Sequence, residues 1–324
     1  MENTTQKIMN KRQIGNSGLQ VAPLAFGGNV FGWTIDEATS FQLLDAFVKA
    51  GFNLIDTADS YSRWVPGNEG GESETIIGNW LKQRGNRDQV VIATKVGSDM
   101  GSGKKDLSQA HIRKSVEASL RRLQTDYIDL YQSHYDDLDT PIEETLGTYA
   151  ELVKEGKVRV IGASNLSGDR ITQSLEISQQ NGFPRYESLQ PEYNLYDRAG
   201  YEQEYEAIAR ENGLGVLPYF SLASGFLSGK YRSEADFAKS QRGQGMKKYL
   251  NDRGFAILNA LDEVAKRHNA NPTQIAIAWL IAQPTITAPI ASATRPEQLQ
   301  DLIKATELTL DQPDLQALDS ASAA

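Results

Sequence analysis

The chain of 324 residues contains no cysteine, an absence that excludes disulfides, thiolate nucleophiles and thiolate-bound zinc together. Histidine is scarce too. His111, His134 and His268 lie far apart, each without a metal-ligand neighbour at helical spacing, so no metal centre is expected and activity should survive chelation. There is no block of lysine and arginine, and the net charge is −9, so neither nucleic acid nor an anionic membrane is an expected partner. No apolar run is long enough to span a bilayer. The opening MENTTQKIMNKR has no apolar core that could serve as a signal peptide, and the protein is expected to be cytoplasmic. No GxGxxG follows an early strand, which argues against an open dinucleotide-binding sheet.

What is present is alternation. Residues 1–10 read as a frayed tail and residues 11–324 as one barrel domain. The segment RQIGNSGLQVAPLAFG reads as a hairpin turning at Asn16, Ser17 and Gly18. Strand-like runs follow at Ala22–Phe26, Phe52–Ile55, Val90–Thr94, Tyr127–Gln132, Val158–Gly162, Ser188–Gln190, Gly215–Pro218 and Thr287–Ile290. Helical patterns separate them, among them Asp36–Ala50, Glu74–Arg84, Ser108–Leu123, Pro141–Glu155 and Pro272–Ala282. Repeated strand–helix units require parallel strands with helices outside, and this number of them implies an α/β fold, a (β/α)8 TIM barrel with an N-terminal β-hairpin. The polar stretch Ser233–Gly254 is too short for a domain and reads as a loop over a site.

Several strand-like runs end at a side chain able to move or hold a proton: Asp56 and Tyr61 in NLIDTADSY, Lys95 in VVIATKVG, and His134 in YIDLYQSHYDD. In a parallel barrel these ends share one edge, where such folds build active sites. A lysine ammonium beside a phenol is expected to lower the phenol's pKa from its free value of about 10. Asp56 is placed to pair with Lys95, and His134 to hold the far side of a carbonyl oxygen. The set suits proton donation to an oxygen becoming an alkoxide, as carbonyl reduction requires, with the hydride supplied by a nicotinamide. Each residue alone has a plainer reading as packing, cap or core histidine; their coincidence at neighbouring strand ends favours function. A Schiff-base role for Lys95 needs a neutral amine, which Asp56 opposes.

Later strand ends offer cofactor contacts. Ser164 and Asn165 in VIGASN, and Gln190 in SLQPEYN, could fix a carboxamide, and Tyr219 presents a ring for stacking. The run SLASGFLSGK (Ser221, Leu222, Ser224, Gly225, Leu227, Lys230) brings small residues and backbone N–H groups towards a pyrophosphate. In IASATRPEQLQDL, Ser292, Thr294, Arg295 and Gln298 surround the start of a helix near Pro296, a ready anion site.

The segments DTADSY, ATKVG, LYQSH, GASN, LQPEYN and LPYFSLASGFLSGKY, taken in order, resemble the aldo-keto reductases, above all the bacterial branch that also resembles potassium-channel β-subunits. The resemblance runs from about Lys11 to the C-terminus. It implies a barrel that binds NADP(H) in an extended pose across the strand ends. It also implies that Tyr61 is the general acid/base, assisted by Asp56, Lys95 and His134. Ser164, Asn165 and Gln190 match the carboxamide positions, and Tyr219 the residue stacked on nicotinamide. The last phosphate loop departs from the family pattern: Arg295 is its one cation, and Asp301-Leu302 stands where Glu-Asn is frequent. NADP(H) is expected, and use of NAD(H) stays open. The stretch SRWVPGNEGGESE marks a substrate-side loop, with Trp33, Trp64 and Tyr135 as candidate pocket walls. The substrate is expected to be a small aldehyde or ketone, or the matching alcohol, with a sugar-derived carbonyl among the options. The non-enzyme alternative is a nucleotide-binding, redox-sensing regulatory subunit. Oligomeric state is not readable from the sequence.

Overall fold

The computed structural model describes residues 10–323, so nearly all of the expected N-terminal tail lies outside the described residues. The chain opens with the expected hairpin, β1 (Arg12–Gln13) antiparallel to β2 (Gln20–Val21). Gly15 (φ 53°) and Gly18 (φ 80°) supply its left-handed turn, which side chains rarely adopt. The hairpin covers the floor of the sheet that follows. Arg12 donates to the carbonyls of Ile286 (2.8 Å) and Ile281 (3.0 Å). Ile14 and Val21 pack into a buried cluster with Ala25, Leu54, Val91, Leu130, Val160, Leu217 and Ala288.

Eight parallel strands follow: β3 (Ala25–Gly27), β4 (Leu54–Asp56), β5 (Val91–Val96), β6 (Ile128–Ser133), β7 (Val158–Ser164), β8 (Tyr186–Gln190), β9 (Gly215–Val216) and β10 (Ile290–Ala291). They lie side by side in chain order, with β10 against β3. The seam between β9 and the segment entering β10 is closed by Thr287 N–H to the Val216 carbonyl (2.8 Å) and Ile290 N–H to the Pro218 carbonyl (2.9 Å). The sheet is therefore a closed (β/α)8 barrel. Strand expectations hold within a few residues, but β9 and β10 are only two residues each, because their outer parts contribute single bridges and not a ladder.

The helices α1 (Glu37–Lys49), α2 (Glu72–Arg84), α3 (Gln109–Leu123), α4 (Ile142–Lys154), α5 (Gly168–Asn181), α6 (Glu206–Asn212), α7 (Asp252–Arg267), α8 (Pro272–Ala282), α9 (Pro296–Ala305) and α10 (Gln312–Ser322) complete the chain. Ser108 caps α3 by accepting from the His111 amide, and Pro272 and Pro296 occupy first turns. Gly78 of α2 lets that helix lie directly against α3: an added Cβ would sit 2.0 Å from the Arg122 carbonyl oxygen. The expected loop after Ser233 contains two short 3-10 segments (Glu234–Lys239 and Gly243–Tyr249), and α7 takes over at Asp252.

At the strand-start end of the barrel, Asp129 is buried and fully paired. It accepts from Arg87 (2.7 Å), the Ile92 amide (2.9 Å) and Arg159 (2.8 Å). The Tyr127 ring lies between the two guanidiniums, 3.9 Å from each.

Candidate active site

The proton-carrying residues meet because β4, β5 and β6 are neighbours in register. Asp56 ends β4 opposite Ala93, Lys95 is the penultimate residue of β5, and His134 follows the last residue of β6. Tyr61 reaches the same edge from the turn after β4. Lys95 is fully buried, and its ammonium donates to Asp56 Oδ2 (2.8 Å), the Thr57 carbonyl (2.8 Å) and the Tyr61 hydroxyl (2.9 Å). All of its protons are engaged, leaving no lone pair for attack on a carbonyl; this geometry is wrong for a Schiff-base lysine. The other oxygen of Asp56 accepts from Gln190 Nε2 at 2.9 Å. Tyr61 accepts from Lys95, so its own proton is directed either towards Asp56, at a long 3.4 Å, or into the cavity.

One expectation is overturned. The pKa of Tyr61 is raised and not lowered: burial raises it most, and the Asp56 charge raises it further. The ammonium beside the phenol is itself paired with Asp56 at 2.8 Å. Burial also lowers the pKa of Lys95, opposed chiefly by Asp56. For His134, burial and then the Lys95 charge push the pKa well below 6.5, so the imidazole is neutral. Its Nδ1 is buried without a hydrogen-bond partner, and its ring stacks on Tyr135 (centroids 4.8 Å apart).

A cavity of about 1270 Å³ runs from Tyr61 and His134 past Ser164, Asn165, Gln190 and Tyr219 to Arg295 and Gln298. That exceeds the usual volume of a drug-sized pocket, about 300–1,000 Å³, and suits an extended dinucleotide with a second small ligand. Tyr219 donates to Asn165 Oδ1 (3.0 Å), and Asn165 Nδ2 donates to the His134 carbonyl (2.9 Å) and to Ser164 Oγ (3.0 Å). Ser221, Leu222, Ser224, Gly225 and Lys230 line the same space, with Ser224 (φ 56°) and Gly225 (φ 104°) making a left-handed turn. Leu227 does not. Its side chain is buried in the helix-side core, and its amide bonds the Leu222 carbonyl (3.2 Å).

At the far end, Ser292 Oγ lies 2.7 Å from Asn29 Oδ1, and Thr294 donates through its amide and hydroxyl to Gln298 (2.8 and 3.0 Å). Arg295 precedes α9 and is exposed; its guanidinium makes no hydrogen bond or ion pair among the described residues. Trp64 and Tyr135 line the cavity, but Trp33 stands behind Trp64, edge-on at 5.4 Å, with the Arg242 guanidinium 5.0 Å from its ring. Sequence reasoning missed Asn29, Phe220, Lys239 and Arg242 in the wall. The last two belong to the stretch read as a loop over the site, and Phe220 adjoins Tyr219; nothing marks Asn29. Among the described residues, no cluster of His, Asp and Glu could hold a metal ion, and no helix is long and apolar enough to cross a membrane.

Comparison with known proteins agrees with this geometry. Residues 23–323 match the Aldo/keto reductase family. The oxidoreductase YrpG of Bacillus subtilis is 37% identical over 94% of this chain and 94% of its own. Aldo-keto reductase YhdN of the same organism is 34% identical over 94% and 91%. A probable voltage-gated potassium channel subunit beta of Oryza sativa is 31% identical over 93% and 92%. Likeness of this extent, over a barrel with this site at its strand ends, has one meaning: the chain belongs to the aldo/keto reductase family and is an NAD(P)H-dependent oxidoreductase.

Proposed function

We propose that this protein reduces an aldehyde or ketone to the alcohol, with NADPH preferred to NADH and Tyr61 as the general acid. The observation that supports this most is the hydrogen-bonded unit of Asp56, Lys95 and Tyr61 at the inner end of a dinucleotide-sized cavity. Tyr61 is held protonated by burial and by Asp56, the state a proton donor needs. Lys95, donating to the phenolic oxygen, stabilises the negative charge that builds there as the proton leaves. Asp56 and the Thr57 carbonyl keep the ammonium in place. His134, neutral and buried, positions the carbonyl oxygen by hydrogen bonding without adding a charge. Gln190, Asn165 and Ser164 form a polar wall that suits a carboxamide, and Tyr219, fixed through Asn165, offers a flat face. A bound nicotinamide supplies the hydride, which no side chain here can provide. Ser221, Leu222, Ser224, Gly225 and Lys230 would hold the pyrophosphate, and Arg295 at the start of α9 would meet a 2′-phosphate.

The named likeness to a potassium channel β-subunit supports a second reading, a nucleotide-binding redox sensor with little turnover. Loss of absorbance by NADPH over a panel of aldehydes and ketones separates the two. Tyr61→Phe tests the mechanism: turnover is expected to fall by about 10²–10⁴, the usual contribution of a positioned acid, with nucleotide affinity nearly unchanged. Retention of most of the wild-type kcat removes Tyr61 from the chemistry.

A further inference from the structure

The buried charges behind Tyr61 do not balance. Lys95, fully buried, and Arg122, partly exposed, are the cations there; Asp56, Asp59 and Glu74 are the carboxyls, each buried. Glu74, on α2, accepts from Thr94 of β5 (2.6 Å) and from Arg122 of α3 (2.6 Å). Asp56 is held by Lys95 and Gln190. Asp59 has no cation of its own among the described residues. It lies midway along the turn between Asp56 and Tyr61, its amide tied to the Lys95 carbonyl (3.3 Å), and its Oδ1 is buried without a partner. On β6, the hydroxyl of fully buried Tyr131 is also without a partner, and Asp59 is the charged neighbour that acts on it most. Tyr149 of α4 and Lys95 of β5 also respond to the charge of Asp59.

We propose that Asp59 is a positioning residue that keeps its proton at neutral pH and, on losing it, weakens proton delivery by Tyr61. With Asp59 neutral, two cations face two anions and the cluster is balanced. Ionisation breaks the Asp59 O–H bond, releases the proton to solvent and leaves one extra negative charge in the turn that carries Tyr61; no electron moves. That charge opposes the negative charge developing on the Tyr61 oxygen during reduction. Burial, then Glu74, push the Asp59 carboxyl up to about 8, against the pull of Arg122, the Ser60 amide and Lys95. This inference rests on Tyr61 as the general acid. Asp59→Asn separates the two titrations: a fall in rate that belongs to Tyr61 persists in that variant, and one that belongs to Asp59 disappears.

The same proton has a thermodynamic signature that does not depend on catalysis. The folded-state value lies above the unfolded carboxylate value of about 3.9, so between the two the folded protein binds more protons. Asp59's contribution to stability is therefore full below about pH 4, declines as pH rises towards about 8, and is flat above.

The test is single-turnover reduction of the fastest carbonyl in the panel, with NADPH bound beforehand, from about pH 6 to about pH 9.5, on wild type, Asp59→Asn and Glu74→Gln, alongside thermal unfolding from about pH 5 to about pH 9. The wild-type rate is expected to fall about tenfold between about pH 7 and about pH 9, following the protonated share of the group. Asp59→Asn, which mimics the protonated acid, should stay within about twofold of wild type near pH 6 and remain flat at higher pH. Glu74→Gln removes a repelling anion and should move the fall to lower pH. Asp59→Asn should melt above wild type at alkaline pH, with the gap closing towards acid. A wild-type rate profile in Asp59→Asn overturns the proposal, as does equal loss of rate at every pH, the mark of a purely structural role. A changed melting profile with an unchanged rate profile shows a proton that does not act on Tyr61, and also overturns it. Should Tyr61→Phe keep its turnover, the general-acid reading fails, while the melting arm still reports on Asp59 alone.

Discussion

The barrel buries carboxylates near both ends of its strands and treats them differently. Near the strand starts, Asp129 has both oxygens occupied by Arg87, Arg159 and the Ile92 amide. At the strand ends, three carboxyls share two cations, and Asp59 Oδ1 and the Tyr131 hydroxyl have no partner. A buried ion held by complete hydrogen bonding fixes structure at modest net gain, whereas an incompletely satisfied one costs stability and shifts proton equilibria. The contrast separates a charge that holds neighbouring strands together from charges that the proposed reaction would use.

Substitutions at the two ends should therefore fail in different ways. The largest effect is expected from Lys95→Met, which leaves Tyr61 without its donor and Asp56 without its cation. Reduction should fall by about 10²–10⁴, measured as kcat at saturating NADPH on protein confirmed folded by circular dichroism. A variant within tenfold of wild type would show that the ammonium is mere packing. Next comes Asp129→Ala, which should lose about 3 kcal/mol in urea unfolding, because the Ile92 amide loses its acceptor and two guanidiniums their anion. Its kcat per folded molecule should not change; if activity drops in step with Lys95→Met, the two ends are not separable. Arg295→Ala should be smaller and confined to the nucleotide. Losing a charge-assisted contact of about 1.5–3 kcal/mol weakens NADPH roughly ten- to a hundredfold, with NADH nearly unaffected, as read from tryptophan fluorescence quenching. Equal weakening of both would assign Arg295 to the pyrophosphate or the fold. Least of all, dialysis against EDTA should leave turnover as it was, and a rate restored only by added metal ion would contradict this.

The sequence makes the strand-end residues visible for a simple reason: each ends a buried apolar run, and parallel neighbours in register bring those ends together. Helices with an apolar stripe, such as α3 and α4, are equally legible. The helix α5 is harder to see, since its buried face carries Ser174 and Ser178 besides Ile171, and serine gives no hydrophobic period. Trp33 shows the limit of inference from residue type: an aromatic near the site can support the wall without touching the cavity. For Tyr61 the sequence supplies the neighbours but not the burial, and burial decides the direction of its pKa. Asp59 is in plain view within DTADSY, yet only packing reveals that it lacks a partner.

The seam of the barrel bears on how the chain comes into being. β10 joins β3, from the start of the fold, to the segment after β9, near its end. On a ribosome, both flanking strands stay as open edges until residue 291 has emerged, each offering unpaired N–H and C=O groups to any neighbouring chain. The short strands at the seam, β9, β10 and the three-residue β3, limit the length of that exposed template. That brevity gives a nascent chain little edge on which to aggregate.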